Sequence, residues 1–501
     1  MLSHSAVIGI DIGTSSSKGV LVTADGVIQA TATRAHDVLR PAPGQVEMDA
    51  GVWWDEAVGI VRELLANPGA PAAGAVRAVG VSGMGPCVLV ADEAGTPVRS
   101  AILYGIDTRA TAQIARLTEE LGGAETIRDR CGSALSTQAA GPKLAWLAEN
   151  EPDTMRRARR LFQPNSWLGW KLTGAYYCDH HSASQCVPLY DARTQRWYAP
   201  WADRIAPGID LPPLVWPGEV VGTVTGAAAA ETGLAAGTPV VAGTIDAWSE
   251  ALSVGAHEVG DLMLMYGTTM FLINTVAAPV TSPTLWGTVG ALPGTRNLAG
   301  GMATSGAVTT WLADLFGSRD YAHLLRMAEE SGPGARGVLM LPYFAGERTP
   351  VADPHARGVI AGLTLSHTRG DLYRAALEAT AFGVRHNVET MAAAGGEITR
   401  IVAVGGGTQG GLWTQIVSDV TGLPQVIPSK TVGASYGAAY LAASSVEPVD
   451  IAVWNPPAAI CEPRAELRPV YDELYRLYRS LYPATVDIAH ALTAYQEEVG
   501  K

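Results

Sequence analysis

The hydrophobic positions near the start of the chain fall into short runs separated by small and polar residues. The runs VIGIDIG, GVLVTA and GVIQATATR occupy residues 7–13, 19–24 and 26–34. Their β-branched composition predicts three strands, and the longer amphipathic segment WWDEAVGIVRELLA (53–66) predicts a helix. A further apolar run, AVRAVGVSG (75–83), completes a βββαβ order, which predicts a mixed sheet with helical layers.

The second half of the chain repeats the pattern with which the first half begins. GDLMLMYGTTMFLINTV (260–276) has an apolar strand, a Gly-Thr turn and a second apolar strand, as does VIGIDIGTSSSKGVLV (7–22). Two such copies, one opening each half, indicate a duplicated domain rather than a short repeat. We therefore expect two domains, residues 1–250 and 251–501.

Other elements are predicted between and after these copies. Residues 200–222 contain several prolines and are expected to form an irregular connection, followed by a strand running into a helix over 238–256. The segment 366–391 has helical periodicity, with Thr368 or Asp371 available at its start. RIVAVGGGTQGGLWTQIVSDVTG (400–422) predicts a buried strand, a glycine turn and a helix, and GASYGAAYLAAS (433–444) predicts a small-residue helix that packs tightly.

Composition narrows the class of protein. A length of 501 residues exceeds one core, and 48% hydrophobic with 17% charged residues is typical of globular proteins. The net charge of −13 opposes nucleic acid as the main partner. Five scattered cysteines are typical of a reducing compartment, and no signal peptide or membrane-length apolar run is recognised, so we expect a cytoplasmic protein without a membrane partner.

The two Gly-Thr turns are candidate phosphate sites. Backbone N–H groups in a tight turn converge on an anion, and nearby hydroxyls add donors. The hydroxyl-bearing residues are Thr14, Ser15, Ser16, Thr268 and Thr269, beside Gly13 and Gly267. Either turn alone is better explained as an ordinary hairpin, but two copies at matching positions favour turns that grip a nucleotide's phosphates. In a P-loop the lysine follows the second glycine, whereas Lys18 precedes it, so the first turn is not a P-loop. Lys18 either adds positive charge near the phosphates or is a solvated surface side chain.

Two aspartates and a glycine run could complete such a site. Asp11, at a strand end, could hold Mg²⁺ or simply bond its own backbone in the turn. Asp246, where a strand becomes a helix, could be a general base, although its position alone favours a helix cap. Gly405 to Gly407 could let a ring or ribose approach the backbone, or could be a plain strand-to-helix turn.

A cysteine- and histidine-containing segment offers a different chemistry. Cys178, His180, His181 and Cys186 stand at a spacing that matches no common zinc site. A polar loop is the favoured interpretation.

Several motifs together carry a resemblance to a known family. GVIAGLTLSHTRGDLYRAALEA (358–379) resembles the C-terminal signature of the FGGY carbohydrate kinases, and KLAWLAENEP (143–152) resembles their N-terminal signature, although Ala140 departs from that pattern. LPYFAGERTPVADPHARG (341–358) is similar to xylulokinases, and DIGTSSSK, AGTID, YGTT, VGGGTQGGLWTQI and GASYGAA follow in the family's order.

The resemblance implies an α/β, duplicated actin-like (ribonuclease H-like) ATPase fold, with ATP and a sugar meeting in a cleft between its domains. The first domain would bind the sugar and the second the nucleotide. It implies that Asp246 is the catalytic base and that Asp11 organises Mg²⁺. It also implies phosphate contacts from Gly13, Thr14, Ser15, Ser16, Gly267, Thr268 and Thr269, and adenosine contacts from Gly405, Gly406, Gly407 and Gln409.

The expected substrate is a ketopentose, but the sugar-facing residues depart from the xylulokinase pattern. Gly83 and Met84 lie in a stretch that lacks the histidine usual in xylulokinases. Asp107 and Arg109 match the xylulokinase pattern, but the tryptophan and asparagine that usually precede the aspartate are absent. Losing hydrogen-bonding groups changes specificity strongly, so a polyol or another ketose is the alternative substrate. A non-enzymatic actin-like or regulatory protein is the alternative function, and a homodimer is a further expectation from the resemblance.

Overall fold

The computed structural model describes residues 5–70 and 72–499. Its strands are β1 (Ala6–Ile12), β2 (Ser16–Thr23), β3 (Ile28–Ala35), β4 (Glu47–Met48), β5 (Val76–Gly83), β6 (Leu89–Ala91), β7 (Ala101–Ile102), β8 (Arg160–Phe162), β9 (Cys178–Asp179), β10 (Tyr190–Asp191), β11 (Arg196–Trp197), β12 (Leu214–Val215), β13 (Val220–Thr223), β14 (Pro239–Val241), β15 (Asp261–Tyr266), β16 (Met270–Val276), β17 (Trp286–Val289), β18 (Arg296–Met302), β19 (Leu339–Leu341), β20 (Val359–Ala361), β21 (Arg400–Val404), β22 (Gln425–Pro428) and β23 (Pro457–Cys461).

The α-helices are α1 (Ala50–Ala66), α2 (Thr111–Glu120), α3 (Gly123–Cys131), α4 (Ala140–Asn150), α5 (Pro152–Arg157), α6 (Pro164–Thr173), α7 (His180–Ser184), α8 (Ala199–Ile205), α9 (Gly226–Thr232), α10 (Asp246–Ser253), α11 (Gly306–Leu315), α12 (Tyr321–Ser331), α13 (Arg369–Ala393), α14 (Leu412–Thr421), α15 (Ala434–Ser444), α16 (Ile451–Trp454) and α17 (Arg468–Val499). Within the described ranges, none of these helices is long and apolar enough to cross a membrane.

The chain divides into two compact units, but not at a single point. Residues up to His257 form most of the first unit, and the segments Ala277–Asn297 and Val432–Pro456 return to it. The second unit holds Glu258–Val276, Leu298–Thr431 and Pro457–Lys501. The boundary expected near residue 250 falls inside α10, seven residues before His257. A single cut was expected because sequence order does not reveal that later segments fold back.

The first unit is built on a six-stranded sheet in the order β13-β14-β5-β1-β2-β3. β1 pairs antiparallel with β2 and parallel with β5, and β5 pairs parallel with β14. The βββαβ order predicted for residues 7–83 is confirmed. Trp53, Ile60 and Leu64 on α1 are buried with Ile10 and Leu21 of the sheet in one hydrophobic core.

The second unit contains strands in a matching arrangement, in the order β18-β16-β15-β21-β22-β23. β15 pairs antiparallel with β16 and parallel with β21, and β21 pairs parallel with β22. β15 and β21 therefore correspond to β1 and β5. The duplication predicted from the two strand-turn-strand segments is confirmed by this repeated set of strand directions.

The predicted helices of the second half are present. Thr368 caps α13 and exchanges hydrogen bonds with Asp371, whose carboxylate accepts from the Thr368 N–H at 2.7 Å, so the two residues proposed as alternative starts act together. The small-residue helix α15 packs closely, as expected: a Cβ on Gly437 would overlap the backbone carbonyl of Ser249. The hydroxyl of Ser249 also donates to the carbonyl of Ala434 at 2.8 Å, so α15 supports α10 within the first unit.

The prediction of an irregular connection over residues 200–222 is wrong in part. α8 continues to Ile205, and short strands occupy Leu214–Val215 and the start of β13. Ala202 and Ile205 bury their side chains in a core cluster, and this packing stabilises a helix despite the neighbouring prolines.

Candidate active site

The functional residues predicted in the first unit lie at one edge of its sheet. β1, β5 and β14 run in the same direction, so their carboxyl ends meet at this edge. Asp11 is directly opposite Ser82 in the β1–β5 register, and Met84 donates its N–H to the carbonyl of Ile12 at 2.7 Å. Gly83 forms a parallel bridge with Ile245, which immediately precedes Asp246. The sheet thus brings together residues some 230 positions apart.

Asp246 is the first residue of α10, and Ile245 occupies the cap position. The capping role favoured by sequence position is therefore wrong by one residue. Within residues 5–70 and 72–499, the Asp246 carboxylate accepts a single short-range hydrogen bond, from the N–H of Ala247 at 2.7 Å. Burial raises the pKa of Asp246 to about 6. At this value the carboxylate is still mostly ionised at neutral pH, and it is basic enough to accept a proton.

Two further carboxylates share this environment. Burial, followed by the charge of Asp246, raises the pKa of Glu250 to about 7, and Glu250 lies one helical turn after Asp246. Burial and then the same charge raise the pKa of Asp11 to about 8. Lys18, exposed on β2 opposite Asp11, opposes both shifts. Glu250 was not identified from the sequence, although its spacing of four residues from Asp246 on a helix was a usable signal.

Asp11 has the chemistry of a cation ligand. Its side chain is half-buried, and within the described part of the chain its enclosed Oδ1 has no hydrogen-bond partner. Mg²⁺ prefers such hard oxygen donors and is usually held by one or two carboxylates together with substrate phosphates. No group of three or more His, Cys, Asp or Glu side chains among the described residues is arranged to hold a metal ion.

The first Gly-Thr turn joins β1 to β2 and is already well connected. Gly13 donates its N–H to the carbonyl of Ser16 at 3.0 Å. The Thr14 hydroxyl lies 2.8 Å from the hydroxyl of Tyr104, and His36 Nε2 donates to the carbonyl of Gly13 at 3.0 Å. The turn is therefore held from both sides by side chains that the sequence analysis did not single out.

The second Gly-Thr turn borders a large cavity in the second unit. β15 and β21 are parallel neighbours, so the turns that follow them lie at the same edge of the sheet. The cavity has a volume of about 1040 Å³. Of the residues predicted to bind nucleotide, those among its described lining are Gly267, Thr268, Gly406, Gly407 and Gln409. Thr269 and Gly405 belong to the same turns but are not among those lining residues.

The remaining cavity wall is mixed in character. Trp413 and Leu325 provide apolar surface, whereas Arg326 and Glu329 on α12 provide charge. Trp413 is fixed by a hydrogen bond from its Nε1 to the Thr380 hydroxyl at 2.8 Å. Apolar and aromatic walls with a few placed polar groups are typical of ligand sites.

The start of α11 supports the second turn. Gly306 donates its N–H to the carbonyl of Gly267 at 3.0 Å, and Ser305 and Ala307 both donate to the carbonyl of Thr268. A Cβ on Gly306 would lie 2.7 Å from the carbonyl oxygen of Gly267, so this close approach requires glycine. Gly306 and its neighbours were missed because no local signal links them to a turn 39 residues earlier.

Glu347 holds the connection that precedes α11. Its Oε1 accepts the N–H of Ala303 at 2.9 Å, while burial raises the pKa of the carboxyl to about 7. It lies in the GERTP stretch on which part of the family resemblance rests.

Two of the predicted sugar-binding residues are paired with each other. Arg109 donates from Nε and Nη2 to the Asp107 carboxylate at 2.8–3.0 Å, and its Nη1 lies 2.7 Å from Glu47. Asp107 also accepts the N–H of Val46 at 2.6 Å. Both side chains are buried, with at most 1% exposed, so the structure shows them organising the surrounding loop. Met84, also predicted here, is buried directly after β5.

Gln138 connects the two segments that carry these predicted residues. Its Nε2 donates to the carbonyl of Gly85 at 3.2 Å, and its Oε1 accepts the N–H of Gly105 at 2.9 Å. Lys143, inside the KLAWL motif, donates to the carbonyls of Tyr104 and Thr137, and burial lowers its pKa to about 8. Only the folded chain reveals these long-range contacts.

The cysteine and histidine side chains of residues 178–186 are engaged with protein groups. Cys186 donates to the carbonyl of Ser182 at 3.5 Å, and His180 Nδ1 lies 2.8 Å from the Tyr190 hydroxyl. Burial raises the pKa of both Cys178 and Cys186, which keeps these thiols protonated, whereas zinc binds thiolates. The prediction of a polar loop is wrong, because residues 178–184 form β9 and α7 and most of their side chains are buried among protein groups.

Comparisons with known proteins agree with this architecture. The N-terminal domain model of the FGGY family of carbohydrate kinases matches residues 6–253, and the C-terminal domain model matches residues 262–446. A glycerol kinase of Nocardia farcinica is 34% identical over 467 residues, covering 88% of this chain and 90% of that protein. A xylulose kinase of Staphylococcus epidermidis is 28% identical over 488 residues, covering 96% and 97%.

A solved structure gives the same result. The crystal structure of xylulose kinase from Rhodospirillum rubrum superposes with a TM-score of 0.90 at 31% identity, covering 97% of this chain and 100% of that one. The family models together span most of the chain, and the repeated strand arrangement is that of the actin-like ATPase fold. The chain belongs to the FGGY family of carbohydrate kinases, which are ATP-dependent phosphotransferases.

Proposed function

We propose that this kinase transfers the γ-phosphate of ATP to a hydroxyl of a ketopentose, with Asp246 as the general base. The observation that supports a ketopentose as the acceptor is the match to the R. rubrum xylulose kinase, which extends over that whole chain at 31% identity. The GERTP segment around Glu347 supports the same substrate class.

Asp246 takes the proton from the attacking hydroxyl. Its raised pKa of about 6 places it close to neutrality, where a carboxylate is both ionised and an effective proton acceptor. As the hydroxyl oxygen bonds to the γ-phosphorus, its proton passes to Asp246 and the bond to the β-phosphate oxygen breaks, releasing ADP.

Mg²⁺ is proposed beside Asp11, whose enclosed Oδ1 is the available oxygen donor. When bound, the ion would neutralise negative charge on the phosphates. The charge of Asp246 contributes to the raised pKa of both Asp11 and Glu250, so a cation at this edge would be favoured because it would offset the repulsion between these carboxylates.

The second unit would bind the nucleotide in the cavity of about 1040 Å³. Gly267 and Thr268 would contact phosphates, while Gly406, Gly407 and Gln409 would contact the adenosine. Thr269 and Gly405 are proposed to shape the same turns. In the first unit, the turn residues Gly13, Thr14, Ser15 and Ser16 are proposed as further phosphate contacts.

The acceptor sugar is proposed to lie against Gly83 and Met84, near Asp246. Asp107 and Arg109 are proposed to act by holding their loop, because their charged groups are already paired. Gln138, which joins Gly85 to Gly105, is a further proposed contributor. A hydrogen-bonding site of this kind discriminates strongly between acceptors.

A polyol of the glycerol or erythritol type is the second candidate acceptor. It is favoured by the N. farcinica glycerol kinase, which at 34% is more similar in sequence than the S. epidermidis xylulose kinase at 28%.

An acceptor panel tests the proposal. ADP release by the purified protein would be followed with ATP and Mg²⁺ against D-xylulose, other ketoses, aldoses, glycerol and erythritol, with Asp246→Asn as the control protein. We expect the highest kcat/KM with a ketopentose and none of that activity in the variant. If kcat/KM is highest with glycerol or erythritol, the acceptor is a polyol and not a ketopentose. Near-normal turnover by Asp246→Asn would contradict the base assignment.

A cytoplasmic location and a homodimer stay predictions. All five cysteines are free, as a reducing compartment would leave them. Sedimentation analysis of the purified chain would test the dimer.

A further inference from the structure

The segment 178–186, set aside above as a metal site, contacts residues on both sides of Asp246. It comprises β9 and the short helix α7, and it belongs to the first unit with α10. The one hydrogen bond that the Asp246 side chain accepts from the described residues is the local one from Ala247, so its position depends on what holds its neighbours.

Asp179 holds the residue two positions before Asp246. Its Oδ1 accepts the Thr244 hydroxyl at 3.0 Å and the N–H of Ser182 at 2.9 Å, and its Oδ2 accepts from Asn165 Nδ2 at 3.0 Å. Asp179 and Thr244 are both 0% exposed. A buried carboxyl group with three donors is a fixed anchor, because losing any donor removes a hydrogen bond that water cannot replace in the interior.

His181 holds the residue two positions after Asp246. Its ring packs against Trp248 with centroids 4.0 Å apart and an angle of 37° between the planes. His181 Nδ1 lies 2.7 Å from the carbonyl of Val289, which can only accept, so Nδ1 carries the proton and Nε2 accepts from Gln185 at 2.8 Å. Burial lowers the pKa of His181 to about 3, so the ring is neutral and its orientation is set by these two hydrogen bonds.

We propose that Asp179 and His181 are positioning residues for the general base, fixing Thr244 and Trp248 and thereby the start of α10 at Asp246. This rests on the proposed function, because it takes Asp246 as the base. The physical reason is that general-base catalysis depends on sub-ångström placement, and a misplacement of about 1 Å can cost 10²-fold in rate. Packed rings and buried hydrogen bonds around a catalytic group provide such placement.

The discriminating pair of variants is Thr244→Val and Thr244→Ser. Valine keeps the shape of threonine but removes the donor to Asp179, whereas serine keeps the donor. We expect kcat to fall roughly 10–100-fold in Thr244→Val with KM for ATP within about twofold, and Thr244→Ser to restore kcat to within about threefold of the unmodified enzyme. Asp179→Asn and His181→Leu should lower kcat in the same direction.

His180→Asn is the matched control, because His180 lies on the same helix but contacts Tyr190 and Trp216 instead. It should lower the melting temperature without the selective loss of kcat. Unfolding curves for all variants separate lost placement from lost folded protein. An unchanged kcat in Thr244→Val, no rescue by Thr244→Ser, or an equal loss of kcat in His180→Asn would each overturn the proposal.

Asp246→Asn separates failure of this inference from failure of the proposed function. If Asp246→Asn is inactive while Thr244→Val is normal, the positioning role alone is wrong. If Asp246→Asn retains turnover, the base assignment fails, and the positioning role fails with it. In the Asp246→Asn background, we expect Thr244→Val to have no further effect on kcat, since both changes act through one group.

Discussion

The two Gly-Thr turns occupy the same position in the two units and have different surroundings. Each follows a strand that is parallel to one neighbour and antiparallel to the next. Two residues before the glycine, however, the first unit has Asp11 and the second has Met265, both half-buried. The same backbone position therefore carries a carboxylate in one unit and an apolar side chain in the other.

The residues around the two turns also differ in their chemistry. Near the first turn lie Asp11, Asp246 and Glu250, whose pKa values are raised by burial and, for Asp11 and Glu250, also by the charge of Asp246. Beside the second turn lie the cavity and the segment 405–407, whose three glycines offer backbone groups alone. The comparison indicates that the two units share the strand-turn-strand scaffold, whereas the first has buried carboxyl groups near its turn and the second has a cavity beside its turn.

The strongest test of this division is Asp246→Asn. If the first unit supplies the base, kcat should fall roughly 10²–10⁴-fold, the usual contribution of such a group. ATP binding, measured by calorimetry without acceptor, should be unchanged, because the cavity residues all belong to the second unit. A large loss of ATP affinity would contradict the division.

Gly306→Ala tests the second turn. The new Cβ would lie 2.7 Å from the carbonyl oxygen of Gly267, and overpacking of this kind costs about 1–3 kcal/mol. If this free energy is lost from ATP binding, the affinity for ATP falls roughly 5- to 150-fold. Calorimetry on Gly306→Ala should show this loss.

The control is Gly226→Ala, which also changes the first residue of a helix but places its Cβ in open space. Equal ATP affinities for the two variants would show that the close approach of α11 does not support the turn.

Asp11→Asn tests the position at which the two units differ. Removing one charged oxygen near a metal typically weakens metal affinity about 10–100-fold, and the Mg²⁺ concentration for half-maximal activity should rise accordingly. Met265→Leu, the volume-conserving change at the corresponding position of the second unit, should leave this Mg²⁺ dependence unaltered. A shift of the same size in both variants would remove the distinction between the turns.

Tyr104→Phe should have the smallest effect. It removes the 2.8 Å contact with the Thr14 hydroxyl, and a neutral hydrogen bond contributes about 0.5–1.5 kcal/mol. Because Thr14 is proposed to contact the phosphates, we expect KM for ATP to rise by roughly 2- to 12-fold while KM for the acceptor stays constant. Steady-state kinetics over both substrates would detect a change in the acceptor's KM instead, which would contradict phosphate contacts from the first turn.

Local pattern and family motifs were sufficient for the scaffold. The two strand-turn-strand segments, the capped start of α13 and the strand-turn-helix over 400–422 were all predicted correctly, because alternation, capping residues and glycine turns are local signals. Asp246 and Asp11 were singled out by position and assigned roles by resemblance, and those roles stay proposals. The helix α8 was missed because its stability comes from burial of Ala202 and Ile205.

Contacts between distant segments could be decided only by the folded chain. Nothing local in the sequence indicates that Gly306 supports the turn at Gly267, or that Asp179 binds the hydroxyl of Thr244. These pairs are 39 and 65 residues apart, and their partners are selected by sheet order and helix packing rather than by neighbouring residues. The residue types and the turns were readable along the chain, whereas which side chains meet, and how burial shifts the pKa of Asp246, depends on three-dimensional packing.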